Sequence, residues 1–147
     1  MTVDPTMTEP EKPRWQYRLD NFNRAYLLLR EAIDALSERQ LTQLEREGII
    51  QRFEYTWELA WKTISDFLAF EGIQVTPITP RSVIRAAFEA GVIQQGEVWM
   101  AALDARNKMS HTYNFRVFEE VIAQVQQRFL KLFDVLYEQM NAKALDL

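Results

Sequence analysis

The stretch WQYRLDNFNRAYLLLREAIDAL, residues 15–36, carries apolar side chains at Trp15, Leu19, Phe22, Tyr26, Leu29, Ile33 and Leu36. Steps that alternate between four and three residues put all seven on one face of an α-helix, whereas a strand would need a period of two. The stretch therefore predicts an amphipathic helix of about six turns. A second stripe of the same kind runs through Ile50, Phe53, Trp57, Ala60, Ile64 and Phe67. Thr42-Gln-Leu-Glu45 ahead of it fits a capping box, and Gly72 after it fits the left-handed C′ position. Gly48 weakens the first turns by about 1 kcal/mol relative to alanine, so the start of this helix is the least defined boundary.

Further along, VTPITPRS (residues 75–82) supplies a break in which Thr79 can cap and Pro80 can open a short helix reaching about Ala90, closed by Gly91. From about Gly96 another helix carries Val98, Trp99, Ala102 and Leu103. The last long helix shows Phe118, Ile122, Val125, Phe129, Leu132 and Leu136, again in steps of four and three. No stretch has useful strand-like alternation and no segment repeats. The fold class expected is all-α: an antiparallel four-helix bundle with a short extra helix.

At 147 residues the chain is one domain's worth. Residues 1–13, polar and proline-bearing, are expected to form a disordered leader, and residues 14–147 a single bundle domain. There is no cysteine, which excludes disulfides, zinc ribbons and thiol catalysis. No run approaches the roughly 18 apolar residues of a membrane span, so a soluble cytoplasmic protein is expected. The formal charge of −4 argues against a dedicated nucleic-acid binder. The distribution of charge weakens that argument, because residues 106–116 contain Arg106, Lys108 and Arg116 and no acid.

Those cations belong to RNKMSHTY, residues 106–113, and the few positions after it; the same motif holds the only histidine. Extending the seam of Trp99 and Leu103 by three residues lands on Arg106, so a guanidinium stands where the pattern asks for hydrocarbon. Such local violations concentrate at functional sites. Two plainer readings stand beside it: Arg106 can snorkel from the bundle's end, and His111 can be a polar capping residue. Glu54, Glu58 and Lys62 form a row on the second helix. That row is either an exposed charge ladder or a set of carboxylates that orients Arg106 or meets a partner.

The pattern R-x-x-x-x-H-x-Y formed by Arg106, His111 and Tyr113, on a helical bundle, resembles the HEPN superfamily (higher eukaryote and prokaryote nucleotide-binding domains). The polar Asn107 directly after the arginine fits that pattern too. Arg52-Phe-Glu-Tyr-Thr-Trp-Glu-Leu-Ala-Trp-Lys62 resembles the second-helix signature of one branch, the nucleotidyltransferase substrate-binding proteins, which are similar to HepT-type toxins. The resemblance implies a metal-independent endoribonuclease toxin paired with a minimal nucleotidyltransferase antitoxin. It implies Arg106 and His111 as the catalytic pair, Asn107 as their polar support, and Tyr113 as the residue that receives AMP. No metal and no cofactor is implied.

The chemistry agrees with that assignment. Cutting RNA without a metal requires activating a 2′-hydroxyl and protonating the departing 5′-oxygen, work suited to an imidazole with an ordinary pKa near 6.5. Arginine offers a permanent, bidentate charge for the phosphorane oxygens. One histidine cannot serve as base and acid in the same step, so a two-fold homodimer that brings two copies of His111 to one cleft is expected. Two other readings remain open on sequence: a non-catalytic module presenting a substrate to a transferase, and a structural dimer or scaffold.

Overall fold

The computed structural model describes residues 12–111 and 114–146. Tyr113 and the first eleven residues of the expected leader lie outside the described residues. Helix α1 spans Arg14–Glu38, α2 Gln43–Phe70, α3 Pro80–Glu89, α4 Gly96–Met109, α5 Phe115–Gln124 and α6 Leu130–Leu145. A π-helical turn at Val125–Phe129 joins α5 to α6 with helical dihedrals at both junctions, so the two form one continuous rod. No strand occurs among the described residues. Four rods, α1, α2, α4 and α5–α6, form the bundle, and α3 is the short extra helix.

Local chemistry sets the boundaries. The Thr42 hydroxyl accepts from the Glu45 amide at 3.1 Å while the Glu45 carboxylate accepts from the Thr42 amide at 2.9 Å, closing the reciprocal capping box. The Arg39 guanidinium and the Thr42 amide together hold the Glu45 carboxyl low, at about 2, with the arginine as the larger cause. At the other end Gly72 adopts φ +80°, and the Ile73 amide reaches back to the Leu68 carbonyl at 2.8 Å. Those are the left-handed residue and the closing bond that a glycine-terminated helix requires. Thr79 caps α3 by accepting from the Ser82 amide, with Pro80 at its first position.

Packing then follows the stripes. All of Trp15, Leu19, Phe22, Tyr26, Leu29 and Ile33 are buried on α1, as are Ile50, Phe53, Trp57, Ala60, Ile64 and Phe67 on α2. Trp15 meets Phe67 edge-on at 5.1 Å, and the Arg52 guanidinium donates to the Leu28 carbonyl at 2.7 Å. Partners therefore descend along α2 as they rise along α1, so the two helices are antiparallel. A polar clamp joins α1 to α6. Arg30 donates to both Asp134 carboxylate oxygens, at 2.7 and 2.8 Å, and the Tyr26 hydroxyl donates to the same carboxylate. Burial and that carboxylate push the Tyr26 phenol well above its ordinary value, so it remains a donor.

The last rod departs from the simple periodic reading. Phe133, absent from the sequence seam, is fully buried against Phe22, Phe53 and Trp99, while Phe118 is only partly buried. Phe133 stands four residues after Phe129 and one after Leu132, beside the seam on the same face of the helix, so it shares the core with Leu132 and Leu136. Phe133→Ala should cost about 3 to 5 kcal/mol in urea denaturation, while Val135→Ala should stay within about 0.5 kcal/mol. A Phe133 loss below that of Val135 would contradict this register.

Candidate functional site

Helix α4 carries most of the site. Its start is fixed by Gln95 in the left-handed conformation, at φ 56°, and by Gly96, where a Cβ would come 3.1 Å from the Phe88 ring. Trp99 then packs on Trp57 of α2 at 5.8 Å between ring centroids, and Ala102 is fully buried behind it. Two turns after Trp99 the same helix presents Arg106.

The guanidinium of Arg106 is held rather than released to solvent. Its Nη2 lies 3.1 Å from Glu58 Oε1 on α2, and its Nη1 donates to the Ser110 hydroxyl at 3.2 Å. The side chains of Arg106 and Glu58 are 31% and 32% exposed, so this pair is screened less than a surface ion pair. Glu58 is itself shared. Its other oxygen accepts from the Trp61 indole N–H at 3.2 Å and lies 3.6 Å from the Lys62 ammonium. One carboxylate thus gathers a guanidinium, an indole and an ammonium, and the row of Glu54, Glu58 and Lys62 is more than an exposed ladder. Arg106 Nε is buried and makes no hydrogen bond among the described residues.

One turn before Glu58, Glu54 is partly buried and its carboxyl is raised above the ordinary value. Burial is the main cause, and the positive charge of Arg106 opposes it. The two glutamates therefore differ: Glu58 bonds Arg106 directly, whereas Glu54 feels its charge without a hydrogen bond to it.

His111 stands elsewhere. Helix α4 ends at Met109 with Ser110 as its cap, and the His111 amide donates to the Lys108 carbonyl at 3.2 Å. Its side chain is exposed and lines a depression between α4 and α5 together with Asp104, Asn107, Lys108, Val117 and Glu120. Within one chain Arg106 thus turns toward α2 and His111 toward α5, and Asn107 falls on the histidine's side. No group of three or more His, Asp or Glu residues that could hold a metal ion occurs among the described residues. Sequence reading missed Trp61 and Ser110, although both stand at helical spacing from their partners, three after Glu58 and four after Arg106. It also missed Asp104 and Glu120, which only the packing of α5 on α4 brings beside His111.

Comparison with known proteins leads to the class that the two quoted stretches resembled. A family model described as nucleotidyltransferase substrate-binding-protein-like matches residues 17–142, and the chain belongs to that family. It is 27% identical over 136 residues to the probable ribonuclease HepT of Haemophilus influenzae, with 85% of this chain and 92% of that protein covered. The solved structure of HI0074 from Haemophilus influenzae, described as the fold of a substrate-binding domain of a nucleotidyltransferase, superposes with a TM-score of 0.74. It shares 28% identity, covering 84% of this chain and 98% of the other. A Thermus thermophilus protein superposes at 0.67 with the same identity and coverage. A chain from the toxin–antitoxin complex MntA-HpeT superposes at 0.68 with 13% identity, over 87% of this chain and 98% of that one, which is a likeness of fold. Among the described residues no helix is long and apolar enough to cross a membrane.

The raised carboxyl of Glu54 has a thermodynamic consequence. A carboxyl whose folded pKa exceeds its unfolded value loses protons more readily on unfolding, so ionising it in the fold costs stability. That cost is full above the raised folded pKa and vanishes as pH falls below the ordinary 4.5. Glu54→Gln should therefore melt higher than wild type at pH 7, with the gain shrinking as pH drops through that window. A variant that melts lower at pH 7 would show that attraction to Arg106 outweighs burial.

Proposed function

We propose that the protein is the toxin of a toxin–antitoxin pair, a metal-independent endoribonuclease whose catalytic residues are Arg106 and His111. The observation that carries this reading is Arg106 itself: a cation at an apolar seam position of α4, held through Glu58 against α2. The resemblance to the probable ribonuclease HepT supports the reaction class. In this reading an imidazole takes the proton from an RNA 2′-hydroxyl, and the 2′-oxygen bonds to the adjacent phosphorus. The bond to the 5′-oxygen then breaks, and that oxygen leaves with a proton from an imidazolium. The products are a 2′,3′-cyclic phosphate and a 5′-hydroxyl. Arg106 neutralises the charge that builds on the non-bridging oxygens. Glu58 orients Arg106, Glu54 sets the charge around it, and Asn107 supports His111 by hydrogen bonding at the cleft.

Base and acid are needed together, and each chain holds one histidine. The working unit is therefore a two-fold homodimer with both copies of His111 at one cleft. The partner is a minimal nucleotidyltransferase antitoxin, a role supported by the family to which the chain belongs and by the fold it shares with a toxin–antitoxin chain. It transfers AMP to Tyr113: the phenolic oxygen bonds to the α-phosphorus of ATP and pyrophosphate leaves. The added phosphate is an anion beside the cleft that competes for Arg106. A non-catalytic substrate-binding subunit is the second reading, favoured by the net charge of −4.

Purified protein should cleave single-stranded RNA in the presence of a chelator. His111→Ala, with an unchanged circular dichroism spectrum, should lose about 10²- to 10⁴-fold in rate. Incubation with the nucleotidyltransferase and ATP should add the mass of AMP to the peptide containing Tyr113. Cleavage that survives His111→Ala would contradict the catalytic assignment, and no cleavage beside tight partner binding would favour the second reading.

A further inference from the structure

Glu58 has a choice of cations. Lys62, one turn further along α2, lies 3.6 Å from one of its oxygens, and Arg106 of α4 lies 3.1 Å from the other. A glutamate and a lysine at that spacing form an ordinary surface pair worth little in water, and nothing in such a pair turns the carboxylate toward a second helix. A third partner does. The Trp61 indole N–H donates to Glu58 Oε2 at 3.2 Å. That is the oxygen Lys62 also approaches, so Oε1 is left to Arg106.

These partners hold the carboxylate in different ways. Lysine carries its charge on a flexible stem, and 41% of the Lys62 side chain is exposed, so its ammonium follows the carboxylate wherever that goes. An indole is a rigid donor with no acceptor, and the Trp61 ring is half-buried, packed against the core. Its N–H therefore has a fixed direction, to which Glu58 Oε2 is drawn. At the far end of this chain of contacts Arg106 Nε is buried, with no hydrogen-bond partner among the described residues, so a ligand meets the guanidinium through its terminal nitrogens. Glu58 at Nη2 and Ser110 at Nη1 set the direction of those nitrogens.

On the reading of Arg106 as the group that neutralises charge on the phosphate, we propose that Trp61 is a positioning residue for it. The indole N–H aims Glu58, and Glu58 aims the guanidinium at the non-bridging oxygens. Arginine gains its advantage over lysine from a fork of fixed geometry, so a guanidinium turned away from those oxygens loses most of that advantage while keeping its charge. Loss of the indole N–H therefore falls on kcat, where the phosphorane charge develops. It leaves KM, to which the remaining charge contributes, nearly unchanged.

Trp61→Phe removes the N–H and keeps an aromatic ring against the core. It should lower kcat for RNA cleavage about ten-fold and leave KM within about two-fold. In a Glu58→Ala background the same substitution should change nothing further, because the carboxylate it acts through is gone. A second readout needs no catalysis: NMR of the arginine side-chain N–H groups, with Arg106 assigned by Arg106→Lys. A held guanidinium rotates slowly about its Nε–Cζ bond and gives separate Nη signals, and in Trp61→Phe those of Arg106 should merge. A kcat within about two-fold of wild type, or Arg106 signals that do not respond, overturns the proposal and leaves the ribonuclease reading intact. A loss of the same size in the Glu58→Ala background also overturns it, because the ring then acts through packing alone. Arg106 signals that merge in Trp61→Phe, in a protein that cleaves no RNA, keep Trp61 as the residue that positions Arg106 and remove the ribonuclease.

Discussion

The seating of α4 on α2 is the constraint on which the site depends. It has two layers. Trp57 and Trp99 form the buried one, an aromatic contact with centroids 5.8 Å apart that fixes the depth at which α4 lies. Glu58 and Arg106 form the outer one, where the bundle begins to open to solvent. An arginine can occupy an inward position here because its charged end meets a carboxylate before it is fully desolvated, while its stem stays against the core. Removing Glu58 would leave that cation partly buried with Glu54 as its nearby acid, a carboxyl whose pKa burial raises. The arrangement explains why two acids one turn apart on α2 have different environments.

The helical stripes made most of the fold legible in the sequence. Trp15 to Ile33 and Ile50 to Phe67 face the core as the spacing requires, and Thr42, Gly72, Thr79 and Pro80 mark the ends of their helices. Phe133 was not legible. It stands one residue after Leu132, beside the seam and not on it, and the packing of Phe22, Phe53 and Trp99 widens the buried face there. Leu36 closes the first seam in the sequence but is only partly buried, packed against the edge of the core.

The site was legible in part. A single broken seam position singled out Arg106, and helical spacing put Glu54, Glu58 and Lys62 on one row. Periodicity could not show that Glu58 reaches Arg106, because that contact joins residues 48 positions apart through the packing of two helices. Nor could it show that Asn107 and His111 open toward α5 instead of toward α2. The neighbours of His111 on α5, Val117 and Glu120, belong to a helix that begins after the motif has ended. Adjacent letters in RNKMSHTY thus serve two faces of one helix end.

That division sharpens the case for a second copy of the chain. Arg106 and His111 look in different directions from α4, and a single imidazole has to be both base and acid if one chain works alone. In the proposed reading, a two-fold axis on the histidine side would set one His111 against its equivalent and supply the second imidazole that the base and acid steps need. The most direct test is a purified heterodimer of one wild-type chain and one differently tagged His111→Ala chain, assayed for RNA cleavage against the wild-type homodimer. A composite cleft predicts almost no activity in the heterodimer, as little as in the doubly substituted dimer; half or more of the wild-type rate would mean that each chain carries a complete site, and would contradict the account.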